Sequence, residues 1–322
     1  MIAISVKPDN SRRLKMPPED IEAKFGSGQD DLERLAAILN ASGEYRVQKM
    51  LRPRHFVNPP DDSLTRTALF IDLETTGLDP ASDEVIEVAM VPFRYGVDGR
   101  IFDIGDAYQS FNEPKVPIPD AVTRITGITN QMVAGHKLEL GKIDALAADA
   151  SLIIAHNASF DRRFAEKISS AFEHAAWACS MTQIDWAAEG HEGTKLAYLA
   201  STHGFFYERH RAEHDCYAAI ELLTRHLPVS GRLAMAVMLE MARKPSWRIW
   251  AENSPYDLKD VLKKRGYRWN GEANGWPRAW YVDVDDELRD EELNFLRREI
   301  YLREVELFVQ KITAYNRFSG RA

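Results

Sequence analysis

From Thr67 onward, short apolar runs alternate with stretches of helical periodicity, and this alternation restricts the fold more than any other feature of the 322 residues. Ala68-Leu69-Phe70-Ile71 reads as a buried strand. Val85 to Tyr95 and Ile101 to Phe111 read as two more, separated by the hairpin-like turn Gly96-Val97-Asp98-Gly99, and Ser151 to Ala155 as a fourth. Helices are predicted over 120–124, 142–149, 159–172, 194–203 and 212–227. Strands joined by hairpins, then a strand flanked by helices, predict an α/β fold whose mixed sheet is covered by helices, not a wholly parallel one.

Two flanks differ from this central part. In residues 1–64, Asp30-Asp31 precedes a helical run carrying Leu32, Leu35, Ala36 and Leu39, which Ser42-Gly43 ends. Tyr45-Arg46-Val47 and the proline-interrupted stretch from Arg52 to Pro60 read as a linker. Beyond Pro228, five of the seven Trp fall between Trp247 and Trp280, interleaved with Lys259, Lys263, Lys264, Arg265 and Arg268. An amphipathic helix is predicted from about Asp286 to Tyr315. The expected division is therefore an N-terminal helical segment and linker over 1–64, a main domain over 65–229 and a small α+β, basic and aromatic domain over 230–322.

With 45% hydrophobic residues and 18 Gly, neither a disordered nor a collagenous chain fits. The N-terminal stretch lacks the apolar core of a signal peptide, and no run approaches the roughly 20 apolar residues that span a bilayer. The chain thus reads as soluble, intracellular and cytoplasmic, with Cys179 and Cys216 as buried thiols and not a bridge. Its formal charge of −8 is concentrated in the middle, where residues 67–229 carry 13 basic and 24 acidic side chains. A net-acidic segment argues against simple phosphate neutralisation, yet it suits the collection of divalent cations on oxygen ligands.

Asp72 and Glu74 close the first strand at positions i and i+2, which places both carboxylates on one face. Alone the pair is a weak signal, because 49 acids among 322 residues give roughly seven such pairs by chance. The polar turn Thr75-Thr76-Gly77 after it strengthens the reading. Asp161 heads an apolar helical stripe with Phe164, Ala165, Ile168 and Phe172, where an acid either faces inward or serves the helix N-terminus. Asp215 shares a stripe with Ala219, Leu222 and His226 and also points inward. His210 lies in the loop leading into that helix, the ordinary place of a solvated bystander, and His214 has no evident task. Taken jointly, four carboxylates without clustered thiolates specify hard-cation chemistry, Mg²⁺ or Mn²⁺ rather than zinc. Four acids suit two ions roughly 4 Å apart that activate a water against a phosphoryl group, with a His to take its proton.

The chain resembles the DEDDh 3'-to-5' exonucleases, the DnaQ-like family that includes the proofreading subunit of the bacterial replicase. The resemblance rests on Phe70-Ile71-Asp72-Leu73-Glu74-Thr75-Thr76-Gly77, on His156-Asn157-Ala158-Ser159-Phe160-Asp161, and on His210 followed by Asp215, over residues 67–227. It implies a ribonuclease-H-like fold, metal ligation by Asp72, Glu74, Asp161 and Asp215, and His210 as general base. A sister group carries Tyr where this chain has Arg211, so the His subgroup is the better fit. It also implies that Thr76, Gly77 and Leu78, with Asn157 and Phe160, hold the 3'-terminal nucleotide.

The expected activity is metal-dependent removal of 5'-mononucleotides from the 3' end of DNA, single-stranded ends favoured, in repair or processing. An RNA-trimming exoribonuclease, a polymerase-bound proofreader and a non-catalytic nucleic-acid scaffold are the alternatives. No clamp-binding peptide of the Gln-x-x-apolar-aromatic kind directly follows residue 227, which weighs against the proofreader. The basic, Trp-rich segment either stacks on single-stranded bases or uses its Trp side chains as core.

Overall fold

The computed structural model describes residues 3–5, 28–271 and 275–321. At its centre lies β3 (Thr65–Thr75), paired antiparallel with β4 (Val85–Gly96) on one side and parallel with β7 (Leu152–Ala155) on the other. With both edges bonded and both faces covered, Ala68 to Ile71 can be an unbroken apolar run. β5 (Ile101–Ile104) and β6 (Tyr108–Phe111) both pair with β4, and β8 (Trp177–Cys179) extends the sheet parallel to β7. The order β5-β4-β3-β7-β8, with β4 antiparallel to its neighbours, is the mixed sheet of a ribonuclease-H-like fold.

The two faces of β3 serve two cores. Ala68 and Phe70 pack against α4 (Leu196–Thr202), α5 (Ala212–Leu223) and α6 (Ala234–Arg243). Leu69, Ile71 and Leu73 pack against α2 (Leu140–Asp149) and α3 (Ala158–Ile168). Asp72 and Glu74 continue the parity of Ala68 and Phe70, so they turn toward α5 where β3 leaves the core. That is the carboxyl end of the central strand, where open α/β sheets place their ligands.

Several segments depart from the sequence reading for identifiable reasons. Part of the expected linker is strand β2 (Arg46–Met50), which pairs with β1 (Ala3–Ser5) and with β9 (Phe205–Phe206). Its partner β9 lies some 155 positions away, so no local pattern announces it. The run Ile101 to Phe111 is two strands, because Gly105 turns the chain within hydrogen-bonding distance of the Pro92 carbonyl, at 2.8 Å. The helix expected over 159–172 stops at Ile168, where Ser169 is extended and its hydroxyl receives the Ala171 N–H. The helix expected to reach 227 stops at Leu223, where the Thr224 hydroxyl donates back to the Glu221 carbonyl at 2.7 Å.

The C-terminal part forms a four-stranded sheet, β11 (Arg268–Trp269), β12 (Trp280–Asp285), β10 (Ser246–Ala251) and β13 (Val309–Ile312), in that order. Ile249, Ala251, Val282, Val284 and Val309 on one of its faces meet Leu262 of α7 (Lys259–Lys264) and Leu293 of α8 (Arg289–Phe295). The long helix expected over Asp286 to Tyr315 is corrected here. α8 runs on through a π-helical turn to Tyr301, left-handed Leu302 ends it, and β13 follows. The period-two run Val305, Leu307, Val309 carries that strand in the sequence. Trp250 is buried and stacks on Trp276 at 6.3 Å and Phe308 at 6.5 Å, so part of the Trp cluster is core, while Trp269 stays 53% exposed. Among the described residues, no helix is long and apolar enough to cross a membrane.

The chain end returns to the central sheet. The Trp177 N–H donates to the Ala314 carbonyl at 2.8 Å. Arg162 on α3, fully buried, donates to the carbonyls of Glu173, Ala314, Tyr315 and Arg317 and pairs with Glu166 at 2.7 Å.

Candidate active site

β3 delivers Asp72 and Glu74, and α5 brings Asp215 from the first turn of the helix against which they face. One carboxylate oxygen from each lies within 4.8 Å of the other two. Asp161, 2% exposed, enters from the first turn of α3 and accepts the Leu73 N–H at 3.2 Å, which ties it to the strand between the other two acids. Helix N-termini offer partial positive charge to Asp161 and Asp215, a modest compensation.

The electrostatics are those of crowded anions. Burial and then the charges of Asp215, Asp161, Glu74 and Glu87 push the Asp72 carboxyl far above the usual range. Burial, then Asp215 and Glu87, raises Glu74 to about 8, against the pull of Arg211. Asp161 is raised chiefly by burial. Asp215 is raised by burial too, although the Tyr207 hydroxyl donates to its Oδ1 at 2.7 Å and the His210 backbone N–H to its Oδ2 at 2.9 Å. Among the described residues, none of these four acids pairs with Lys or Arg; the nearest guanidinium, Arg211, pairs instead with Glu87 at 3.2 Å. Oxygen ligands that gather without a protein cation fit a hard divalent ion, whose charge would restore their ionised state.

His210 is exposed and sits at the rim, its backbone left-handed at φ +62°. The residue's own N–H is spent on Asp215, which anchors its backbone to that acid. His214 turns away, with Nδ1 3.2 Å from the Glu208 carbonyl. In the turn after Glu74, the Thr76 hydroxyl donates to Asp83 at 3.3 Å and accepts the Glu84 N–H at 3.0 Å. A Cβ on Gly77 would stand 2.5 Å from the Asp83 carboxylate, which would have to shift to admit it. Leu78, 83% exposed, forms the tip. Asn157, left-handed at φ +93°, makes the sharp turn from β7 into α3, and Phe160 packs half-buried on Phe164 at 5.0 Å. Among the described residues, none of these five side chains hydrogen-bonds to the four acids.

Four supporting residues were given no part in the site by the sequence reading. Glu87, fully buried on β4 opposite Glu74, receives Arg211 and the Ala212 N–H and so fixes the start of α5. A lone carboxylate in the apolar run from Val85 to Val91 was its signal. Tyr207 had none beyond its place in the loop. Cys216, next to Asp215, buries its thiol 3.7 Å from the Ala89 carbonyl, and burial with the nearby carboxylates pushes its pKa up. His156, between β7 and α3, is held by the Ser180 hydroxyl at 2.9 Å and the Thr194 carbonyl at 2.7 Å, and burial drops its pKa to about 4.

Comparison with known proteins agrees with this chemistry. The family model RNase_T, described as Exonuclease, matches residues 69–223. The DNA polymerase III PolC-type of Clostridium perfringens is 33% identical over 114 residues, 34% of this chain and 7% of that protein. The DNA polymerase III subunit epsilon-like protein of Rhodobacter capsulatus is 33% identical over 197 residues, 58% of this chain and 27% of that protein. The chain thus spans about a quarter or less of the length of these relatives. Among solved structures, E. coli Exonuclease I in complex with a dA16 oligonucleotide aligns with a TM-score of 0.48 at 17% identity, over 72% of this chain and 68% of that one. Exonuclease X in complex with 5' overhanging duplex DNA aligns with a TM-score of 0.37 at 24% identity, over 54% and 90%. With the family's profile covering the sheet and the helices that carry all four acids, the part of the chain spanning residues 69–223 belongs to the exonuclease family.

Proposed function

We propose that the protein is a 3'-to-5' exonuclease that hydrolyses single-stranded DNA from its 3' end and releases 5'-mononucleotides, in repair or processing. The observation that carries this reading is the set of ligand oxygens within 4.8 Å at the end of β3, with Asp161 beside them and, among the described residues, no Lys or Arg paired to them. Asp72, Glu74, Asp161 and Asp215 would hold two Mg²⁺ or Mn²⁺ ions. Divalent ions bound there supply activation of the attacking water and neutralise charge on the scissile phosphate. His210 takes the proton of that water on its ring, aimed by the backbone bond to Asp215. Tyr207 and the His210 N–H keep the Asp215 carboxylate oriented while the acids change partners. Thr76, Gly77, Leu78, Asn157 and Phe160 hold the terminal nucleotide. The names of the curated relatives favour DNA over RNA as substrate. The exonuclease unit is assigned to residues 65–229, and the protein is assigned to the cytoplasm.

The test is a 5'-labelled oligonucleotide, offered as DNA and as matched RNA with Mg²⁺. A descending ladder on DNA, absent with EDTA and with Asp72→Asn, is the expected result. Faster trimming of RNA would reassign the substrate, and activity that survives Asp72→Asn would dismiss the site.

A further inference from the structure

The C-terminal sheet has a second face. Side chains alternate, so Arg248 of β10, Tyr281 and Asp283 of β12 and Arg268 of β11 lie on the side opposite the apolar residues that pack on α7 and α8. This side confronts α3 of the exonuclease unit across a groove of about 690 Å³. Ser159 and Arg163, two residues before and two after Asp161 on α3, line its other wall, so the groove runs along the side of that helix turned away from the acids.

Its chemistry differs from that of the rest of the surface. Arg163, Arg248, Arg268 and Arg317 line it against one carboxylate, Asp283, in a chain whose net charge is −8. Two of the guanidiniums are held ready. Arg248 forks onto Asp283 at 2.7 and 2.9 Å and lies 4.7 Å above the Tyr281 ring; Arg268 reaches Asp283 at 2.9 Å and lies 4.9 Å above the same ring. The ring is therefore occupied by cations and is not a platform for bases. Arg248 spends two of its three nitrogens on Asp283 and Arg268 spends one, which leaves donors for a further anion. The Arg163 side chain makes no hydrogen bond or ion pair among the described residues.

We propose that this groove binds the sugar-phosphate backbone of a single strand, several nucleotides to the 5' side of the one being removed. The inference rests on the exonuclease reading above and extends it: recognition there is by phosphate and so independent of sequence. An acidic peptide is the competing occupant.

The experiment measures binding of phosphorothioate-linked dT4 and dT16, with Mg²⁺, as a function of salt. Wild-type protein is expected to bind dT16 at least tenfold tighter than dT4. The double variant Arg248→Gln/Arg268→Gln is expected to lose most of that advantage and to lower the log-log salt slope by about 1.4, at roughly 0.7 for each of two phosphate contacts. Arg163→Gln, exposed and without partners to disturb, is expected to shift both readouts in the same direction by less. Length advantage and slope unchanged in both variants, or an acidic peptide displacing dT16 without any dependence on oligonucleotide length, would overturn the proposal. Wild-type protein that trims neither ordinary oligonucleotide would count against the exonuclease reading instead, and the length dependence would still judge the groove.

Discussion

Asp161 and Arg162 are neighbours on α3, both withdrawn from solvent, and the fold treats their charges in opposite ways. Arg162 faces the chain end, where Glu166 and four carbonyls engage all three guanidinium nitrogens. Asp161 faces the end of β3, where three more acids gather and, among the described residues, no Lys or Arg pairs with any of the four. A buried charge met on every side holds structure together; one left unmet is held in reserve for something that arrives from outside. One helix therefore carries a fully partnered charge and one without an ion partner a single residue apart.

The contrast is broken most directly by Asp161→Asn. Cleavage is expected to fall by about 10³-fold or more, while the melting temperature of the metal-free protein holds or rises, because an uncompensated charge has been removed. A drop in metal-free stability as large as the loss of activity would make Asp161 structural. Arg162→Met should do the reverse. It strands four carbonyls without their donor and is expected to cost about 3–5 kcal/mol in denaturation, with the cation-induced rise in melting temperature retained. The smallest effect sharpens the comparison through pH. Glu74, raised to about 8 from a usual 4.5, favours the folded state below its unfolded value and loses that contribution as pH rises through about 8. His156 and His203, both dropped to about 4, act below about pH 6.5, where their contribution is lost as pH falls. Between pH 6.5 and 8.5 the carboxylates act alone. Metal-free protein should melt a few degrees lower at pH 8.5 than at 6.5, and Mg²⁺ should remove the difference; equal melting temperatures without metal would refute the crowding of the acids.

What the sequence makes legible follows from how local its cause is. The strand Ala68 to Ile71 and the carboxylates after it stand within seven residues, and the helical stripes behind Asp161 and Asp215 each span a few turns, so the acids can be picked out before any fold is known. Glu87, Arg162 and β2 depend on partners far along the chain: Arg211 and Ala212, the carbonyls of residues 314 to 317, and Phe205. Their side chains carry no mark of that pairing. The long helix expected at the C-terminus fails for a related reason. Amphipathic composition persists to Tyr315, but the open edge of β10 recruits Val309 to Ile312 into a ladder that no helical period can foresee.

Cys216 adds a use for the geometry. Its sulfur is sealed between β3 and β4 on the same helix that presents Asp215, with its proton held tightly. An alkylating reagent therefore reaches it only when α5 lifts from the sheet, so the rate of modification clocks how often the helix that carries Asp215 comes away, and any ligand that clamps that helix will slow the clock.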